Sequence, residues 1–175
     1  MKVLVVVDMQ NDFVDGALGS AEAREIVPAV LKKIESYRSS GNKTVFTRDT
    51  HGENYLQTQE GRKLPVPHCI EGTHGWQIID QIDTDECIVL DKHTFGADHL
   101  MEVLRNMEIV YGVDSVELIG LCTDICVIAN AMIAKTSLPE VPVRVDAACC
   151  AGVTAESHET ALDAMEMCQI EIINR

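Results

Sequence analysis

The 175-residue chain has no apolar run long enough to cross a bilayer; Val3 to Val7 is typical of its longest. A spanning helix needs about 20 apolar residues, so none is expected. The start, Met1-Lys2-Val3, runs straight into strand-like residues and shows no cleavage-site pattern. No signal peptide and no membrane partner are therefore expected, and a cytoplasmic location is. Positive charge is scarce, with 14 Lys and Arg against 28 Asp and Glu and a net charge of −14. A phosphate polymer would be repelled, so nucleic acid is not an expected partner. A disulfide scaffold is missing too. The cysteines number seven, an odd count, and lie scattered through apolar segments, which favours reduced thiols. Cys122 and Cys126 are one residue too far apart for a Cys-x-x-Cys redox motif, and the vicinal Cys149-Cys150 reads as structural. Repeats, low-complexity tracts and linkers are absent. With 46% hydrophobic and 24% charged residues, the composition suits one compact domain over residues 1–175 with a real core.

What the chain does have is alternation. Short β-branched runs at Val3–Val7, Lys43–Thr47, Cys87–Leu90, Ser115–Ile119, Val143–Asp146 and Gln169–Ile173 read as strands. Helical patterns lie between them at Ala21–Ser39, Ala97–Met107, Asp124–Ser137 and Glu156–Met167, with a shorter helical turn near Trp76–Ile82. Ser20 and Thr154 stand where N-caps belong, and Gly41 where a helix should stop. Strand–helix alternation predicts an α/β fold in three layers, Rossmann-like, with a mainly parallel six-stranded sheet and helices on both faces. The stretch from Arg48 to Gly75 lacks periodicity and holds three of the six histidines. Loops this long in a compact domain are usually functional.

Ligands of open parallel sheets gather beyond the carboxyl ends of the strands. Asp8, Asp49, Lys92 and Cys126 each follow a successive strand, so all four should face one edge. Cys126 lies where a strand run meets a helical one, in Gly120-Leu121-Cys122-Thr123-Asp124-Ile125-Cys126-Val127. Free amides and the helix dipole favour a thiolate and an oxyanion there. Lys92 beside it should lower the thiol pKa further. Taken alone, Asp8 is equally a turn former, Lys92 a surface group and Cys126 a buried small residue; Cys122, Cys149 and Cys150 compete as nucleophile. A second constellation is Asp49-Thr50-His51 with Pro67-His68. Asp and His two apart on extended backbone share a side, and mixed carboxylate and imidazole donors suit zinc, iron or manganese. Loop histidines bonded to backbone or water are the plain alternative.

Asp8 in Asp-Met-Gln-Asn-Asp-Phe, Lys92, and Cys126 in Cys-Thr-Asp-Ile-Cys-Val resemble the isochorismatase-like cysteine hydrolases, and among them the nicotinamidases. The match runs over nearly the whole chain. The resemblance implies Cys126 as nucleophile, Asp8 as general base and acid, and Lys92 as the organising charge. It also implies a cis peptide at Leu121–Cys122, with the backbone amides of Cys122 and Cys126 as an oxyanion hole. For the divalent metal it implies Asp49, His51 and His68, with Glu60 as a further carboxylate and Glu53 as its competitor. For the substrate pocket it implies Phe13, Phe95 and Leu121. Leu64-Pro65-Val66 stands where the family carries an aromatic wall, and Asp98 or His99 where another aromatic is found. The expected activity is hydrolysis of a small-molecule amide, nicotinamide first, through a thioester on Cys126. A related hydrolase of another small amide or carbamoyl compound, and a non-catalytic metal-dependent binding protein, are the alternatives. True isochorismatases lack the nucleophilic cysteine. Relatives assemble, so a homo-oligomer is expected.

Overall fold

The computed structural model describes residues 1–175. Six strands form one sheet in the order β3-β2-β1-β4-β5-β6. They are β1 (Lys2–Val7), β2 (Lys43–Asp49), β3 (Ile88–Lys92), β4 (Ser115–Leu121), β5 (Val143–Ala151) and β6 (Glu171–Ile173). Every pairing is parallel, as the alternation predicts. The helices are α1 (Asn11–Val14), α2 (Ala21–Ser39), α3 (Gln59–Lys63), α4 (Leu100–Tyr111), α5 (Ile128–Ser137) and α6 (Ala155–Met167). None is long and apolar enough to cross a membrane.

Strand β1 is buried on both faces, and its alternation sorts the core. Val3, Val5 and Val7 pack with Leu104, Ala131 and Leu162 of α4, α5 and α6. Leu4 and Val6 pack with Ile26, Val30 and Ile34 of α2. The stripe Ala23, Ile26, Val30, Ile34, Tyr37 is the buried face of α2, at helical spacing. Ser20 caps that helix by accepting the Ala23 amide at 3.0 Å. Strand order reverses between β1 and β4, and a crevice opens at such a point beyond the strand ends.

Boundaries differ from expectation where side chains compete for backbone groups. Helix α4 starts at Leu100 rather than Ala97, because the Ala97 amide donates to Asn130 Oδ1 at 2.9 Å and the Asp98 carboxylate accepts the His99 amide. It ends at Gly112, whose φ of 69° with ψ of 125° is a backbone conformation open mainly to glycine. The segment Trp76–Ile82 is not helical. Ile78 bridges Gln10 instead, while the Trp76 indole covers the Arg48 guanidinium and donates to Thr50 Oγ1 at 2.9 Å. Before α5 the chain makes a wider, π-type turn over Thr123–Val127.

Candidate active site

Three strand ends and one turn build the site. Asp8 follows β1 with φ 48°, a left-handed conformation uncommon outside glycine. Its amide donates to Thr47 O at 3.2 Å, and its Oδ1 accepts the Thr47 hydroxyl at 2.6 Å. Lys92 ends β3, paired in register with Asp49 at the end of β2. Its ammonium lies 2.8 Å from Asp8 Oδ2, 2.9 Å from Asp49 Oδ1 and 3.4 Å from Cys126 Sγ, and donates to Thr94 O at 3.1 Å. Asp8 and Lys92 are buried, and Cys126 is only 6% exposed. The three side chains meet as the sequence expected. The Leu121–Cys122 peptide is cis.

The protonation state departs from expectation. Burial pushes the Cys126 thiol well above its ordinary value, Asp8 adds to the rise, and Lys92 only partly offsets it. Burial also raises Asp8, against the pull of the Lys92 charge. For Lys92, burial works downward, but Asp8, Cys126 and Asp49 outweigh it and leave the ammonium firmly charged. Burial thus favours the neutral thiol over the thiolate. Asp8 acts on the thiol through its charge, while the sulfur's hydrogen-bond contact is the Lys92 ammonium at 3.4 Å. Asp8 Oδ2 touches Lys92 as an ion contact without an aligned hydrogen bond, so a lone pair remains for the thiol proton.

Asp49 has two duties where the sequence showed one. While Oδ1 meets Lys92, Oδ2 lies 2.8 Å from His51 Nε2 and 3.6 Å from His68 Nε2. Glu60 Oε1 stands 3.7 and 3.9 Å from the same two nitrogens. Glu53 is exposed, so Glu60 is the carboxylate beside the imidazoles. Burial would raise Asp49, but the adjacent His51 and the Lys92 charge hold its carboxyl below the usual range. Burial would lower His51, and Asp49 and Glu60 outweigh it upward. Asp49, His51 and His68 present ligand atoms within 4.8 Å of one another.

These residues fit a divalent ion. Metal–ligand bonds of about 2.0–2.1 Å place tetrahedral donors about 3.3 Å apart, and the observed spacings bracket that value. His51 Nε2 is buried with no aligned hydrogen bond despite its closeness to Asp49, as when two donors aim at a common point. The His68 Nδ1 lies 2.8 Å from Val66 O, a contact that leaves Nε2 with its lone pair free. Tyr55 wedges against both imidazoles, with ring centroids 4.7 and 5.0 Å away.

Between the two clusters lies a cavity of about 300 Å³. Phe13, Leu64, Phe95, Leu121, Ile125 and Val153 wall it, Cys122 and Cys126 line one side, and Asp49, Glu60 and His68 another. Phe13, Phe95 and Leu121 all line this cavity. Asp98 and His99 are exposed and absent from the lining. Ile125 and Val153 were missed; each is brought in by a turn whose direction no periodicity encodes.

Two buried amides were also missed. Gln10 accepts the Asp49 amide at 2.7 Å and donates to Asp49 O and Trp76 O, both at 2.8 Å. Asn130 donates to Cys126 O at 2.8 Å and to Phe95 O at 3.3 Å. A buried polar residue on an apolar strand end was the only signal for Gln10, and its partners lie 39 and 66 residues away. Gln10→Met is expected to lower stability by about 2–3 kcal/mol, because buried backbone groups lose their partner. Urea unfolding checks this; an unchanged midpoint contradicts it.

A doubly wound parallel sheet with an acid, a cation and a thiol at its switch point is the arrangement of a cysteine-hydrolase site rather than of a nucleotide-binding one. The chain belongs to the isochorismatase-domain family, whose model matches residues 2–175. It is 29% identical to the nicotinamidase/pyrazinamidase of Mycobacterium tuberculosis (strain ATCC 25618 / H37Rv) over 189 aligned positions, which cover 99% of this chain and 98% of that protein. The crystal structure of the pyrazinamidase of Pyrococcus horikoshii in complex with zinc superposes with a TM-score of 0.84 at 29% identity, over 99% of each chain. The N-carbamoylsarcosine amidase of Thermoplasma acidophilum superposes with a TM-score of 0.80 at 30% identity, over 98% of this chain and 95% of that one.

Proposed function

We propose that this protein is a cysteine amidohydrolase that converts nicotinamide to nicotinate and ammonia through a thioester on Cys126. One observation carries the proposal: Cys126 Sγ lies 3.4 Å from the same ammonium that touches Asp8, at the side of a cavity facing the Asp49, His51 and His68 cluster. Asp8 takes the thiol proton as sulfur attacks the amide carbon, so the buried thiol ionises only as it reacts. The Cys122 and Cys126 amides receive the oxyanion. No hydrogen bond within the chain engages the Cys122 amide, which leaves it available. The tetrahedral adduct collapses, the C–N bond breaks, and Asp8 returns its proton to the departing nitrogen as ammonia. Water then attacks the thioester with Asp8 as base, releasing the acid and the thiol. Lys92 keeps its charge throughout and holds the carboxylate and sulfur in place. Phe13, 5.6 Å from the His68 ring, and Phe95 flank the substrate ring.

Asp49, His51 and His68, with Glu60 at the rim, are the proposed metal ligands, and zinc is the proposed ion; iron and manganese share the donor preference. When bound, the ion supplies a coordination point for the ring nitrogen. Purified protein is expected to release nicotinate and ammonia in equal amounts from nicotinamide; ammonia without nicotinate, or neither, overturns the assignment. Metal analysis is expected to find about one equivalent per chain. Chelation is expected to lower kcat/KM about 10- to 100-fold, with zinc restoring it. Metal-free protein of undiminished activity contradicts the ligand set.

A second reading has its own support. The wall at Leu64 and Val153 is aliphatic, and a carbamoyl amidase is among the structural relatives. A panel of small amides and carbamoyl compounds separates the two: nicotinamide should have the highest kcat/KM, and a higher value for a non-aromatic carbamoyl compound selects this alternative.

A further inference from the structure

We infer that His158 is a positioning residue for this hydrolysis, acting through Thr123 on the turn that carries the Cys122 and Cys126 amides. The inference rests on the amidase reading above. Thr123 directly follows Cys122, opens the π-type turn and is fully buried. Its hydroxyl shares a 2.7 Å hydrogen bond with Nδ1 of His158, 35 residues further on. A buried hydroxyl needs a partner, and the turn itself supplies none. Its own bonds run from the Ile125 and Val127 amides to Cys122 O, at 3.1 and 3.0 Å. The partner is imported from α6.

His158 is well placed to hold a position. Its amide donates to Thr154 O at 3.0 Å, and the reciprocal Thr154–Ser157 capping box fixes that first turn of α6. Gly152 packs directly on it, since a β-carbon there would stand 2.9 Å from His158 Cβ. A second tie lies next to the first: the Asp124 carboxylate accepts the Val153 amide at 3.2 Å. Residue 123 is thus pinned to α6 and residue 124 to the β5–α6 connection. His158 does not line the cavity, whereas Cys122, Cys126 and Val153 do. It reaches the chemistry only through Thr123, which stands between the two amides assigned to the oxyanion. A donor misplaced by about 1 Å can cost about 100-fold in rate.

The test compares kcat, KM for nicotinamide and melting temperature in His158→Ala, His158→Asn, Thr123→Val and the double variant His158→Ala/Thr123→Val. In both single removals kcat is expected to fall about 10- to 100-fold with KM changed by less than about threefold. His158→Asn should recover most of the loss, because its side-chain amide offers an acceptor and a donor near the Nδ1 position. The double variant should fall no further than the worse single one, as for one shared interaction. Three results would overturn the inference: kcat within about twofold of the parent in both single variants, losses that multiply in the double variant, or a lower melting temperature with kcat unchanged. The last is what a purely structural bond produces. Should His158→Ala not fold, Thr123→Val removes the same bond at nearly constant volume and carries the test. An active Cys126→Ala enzyme would remove the amidase reading and this inference together; an inactive one beside fully active His158→Ala and Thr123→Val enzymes removes this inference alone.

Discussion

Cys126→Ala is expected to lower kcat for amide hydrolysis by about 10⁴- to 10⁶-fold, the scale seen when a covalent nucleophile is deleted, while the protein stays folded. The size follows from the geometry. The sulfur is the only atom of the site placed to form the acyl bond beside Asp8 and Lys92. Without it the ammonium and the carboxylate still face each other, but neither attacks carbon. Folding survives because the lost atom is small and the Cys126 carbonyl keeps its bond from Asn130. The decisive measurement is ammonia release beside a circular-dichroism melt. A second measurement looks for the covalent species: rapid quenching with substrate should add one acyl group to the peptide containing Cys126. Retained turnover in the alanine variant would end the proposal, whatever the metal site holds. Slow alkylation of the free enzyme would not, because burial favours the protonated thiol. That result separates this site from one with a permanently charged thiolate.

Gly120→Ala is expected to destabilise the protein by at least about 4 kcal/mol, beyond the range of most point substitutions. Gly120 sits in β4 directly opposite Val7 of β1, with φ 117°, a conformation open mainly to glycine. A methyl group there would run into Val7 O. Both torsion and collision therefore oppose the change, and the collision is with backbone, which cannot rotate aside. Relief would require β1 to move away from β4, and Asp8 is the next residue along β1. At about 2–4 °C per kcal/mol for a chain of this size, the melting temperature should fall by about 8 °C or more. Gly41→Ala is the control. It has a positive φ of 69° at the stop after α2 but nothing within 4 Å, so only the torsional cost of about 1 kcal/mol applies. Equal effects at the two positions would show that the approach of β1 to β4 is not what selects glycine.

The consequences of that close approach reach the chemistry. Asp8 and the Cys122–Cys126 turn are the immediate continuations of β1 and β4, so the separation of these strands sets the distance between the Asp8 carboxylate and the Cys126 sulfur. Lys92 and Asp49 continue β3 and β2 in register. The site is thus assembled from the ends of a sheet whose spacing is fixed by backbone hydrogen bonds, which suits groups that must hold position to within about 0.5 Å.

Much of this was legible residue by residue. Asp8, Lys92 and Cys126 could be placed at strand ends because a strand announces itself through neighbouring β-branched residues, a local signal. Helix α2 was readable at both bounds, since Ser20 and Gly41 mark them chemically. Helix α4 was not, because the Ala97 amide goes to Asn130, 33 residues away. Trp76–Ile82 carries residues able to form a helix, yet they bridge to Gln10 and Thr50. In each miss a distant partner outcompeted a local preference.

The sequence by itself determined the alternation of strand and helix, the reactive groups beyond the strands, and the donor types of the metal cluster, because each is written in adjacent residues. Only the tertiary structure decided the order of the strands, the double use of Asp49, the bonds of Gln10 and His158, and the burial that raises the Cys126 thiol. The physical reason is that desolvation and hydrogen bonding depend on what surrounds a group in space, and those neighbours come from segments tens of residues apart.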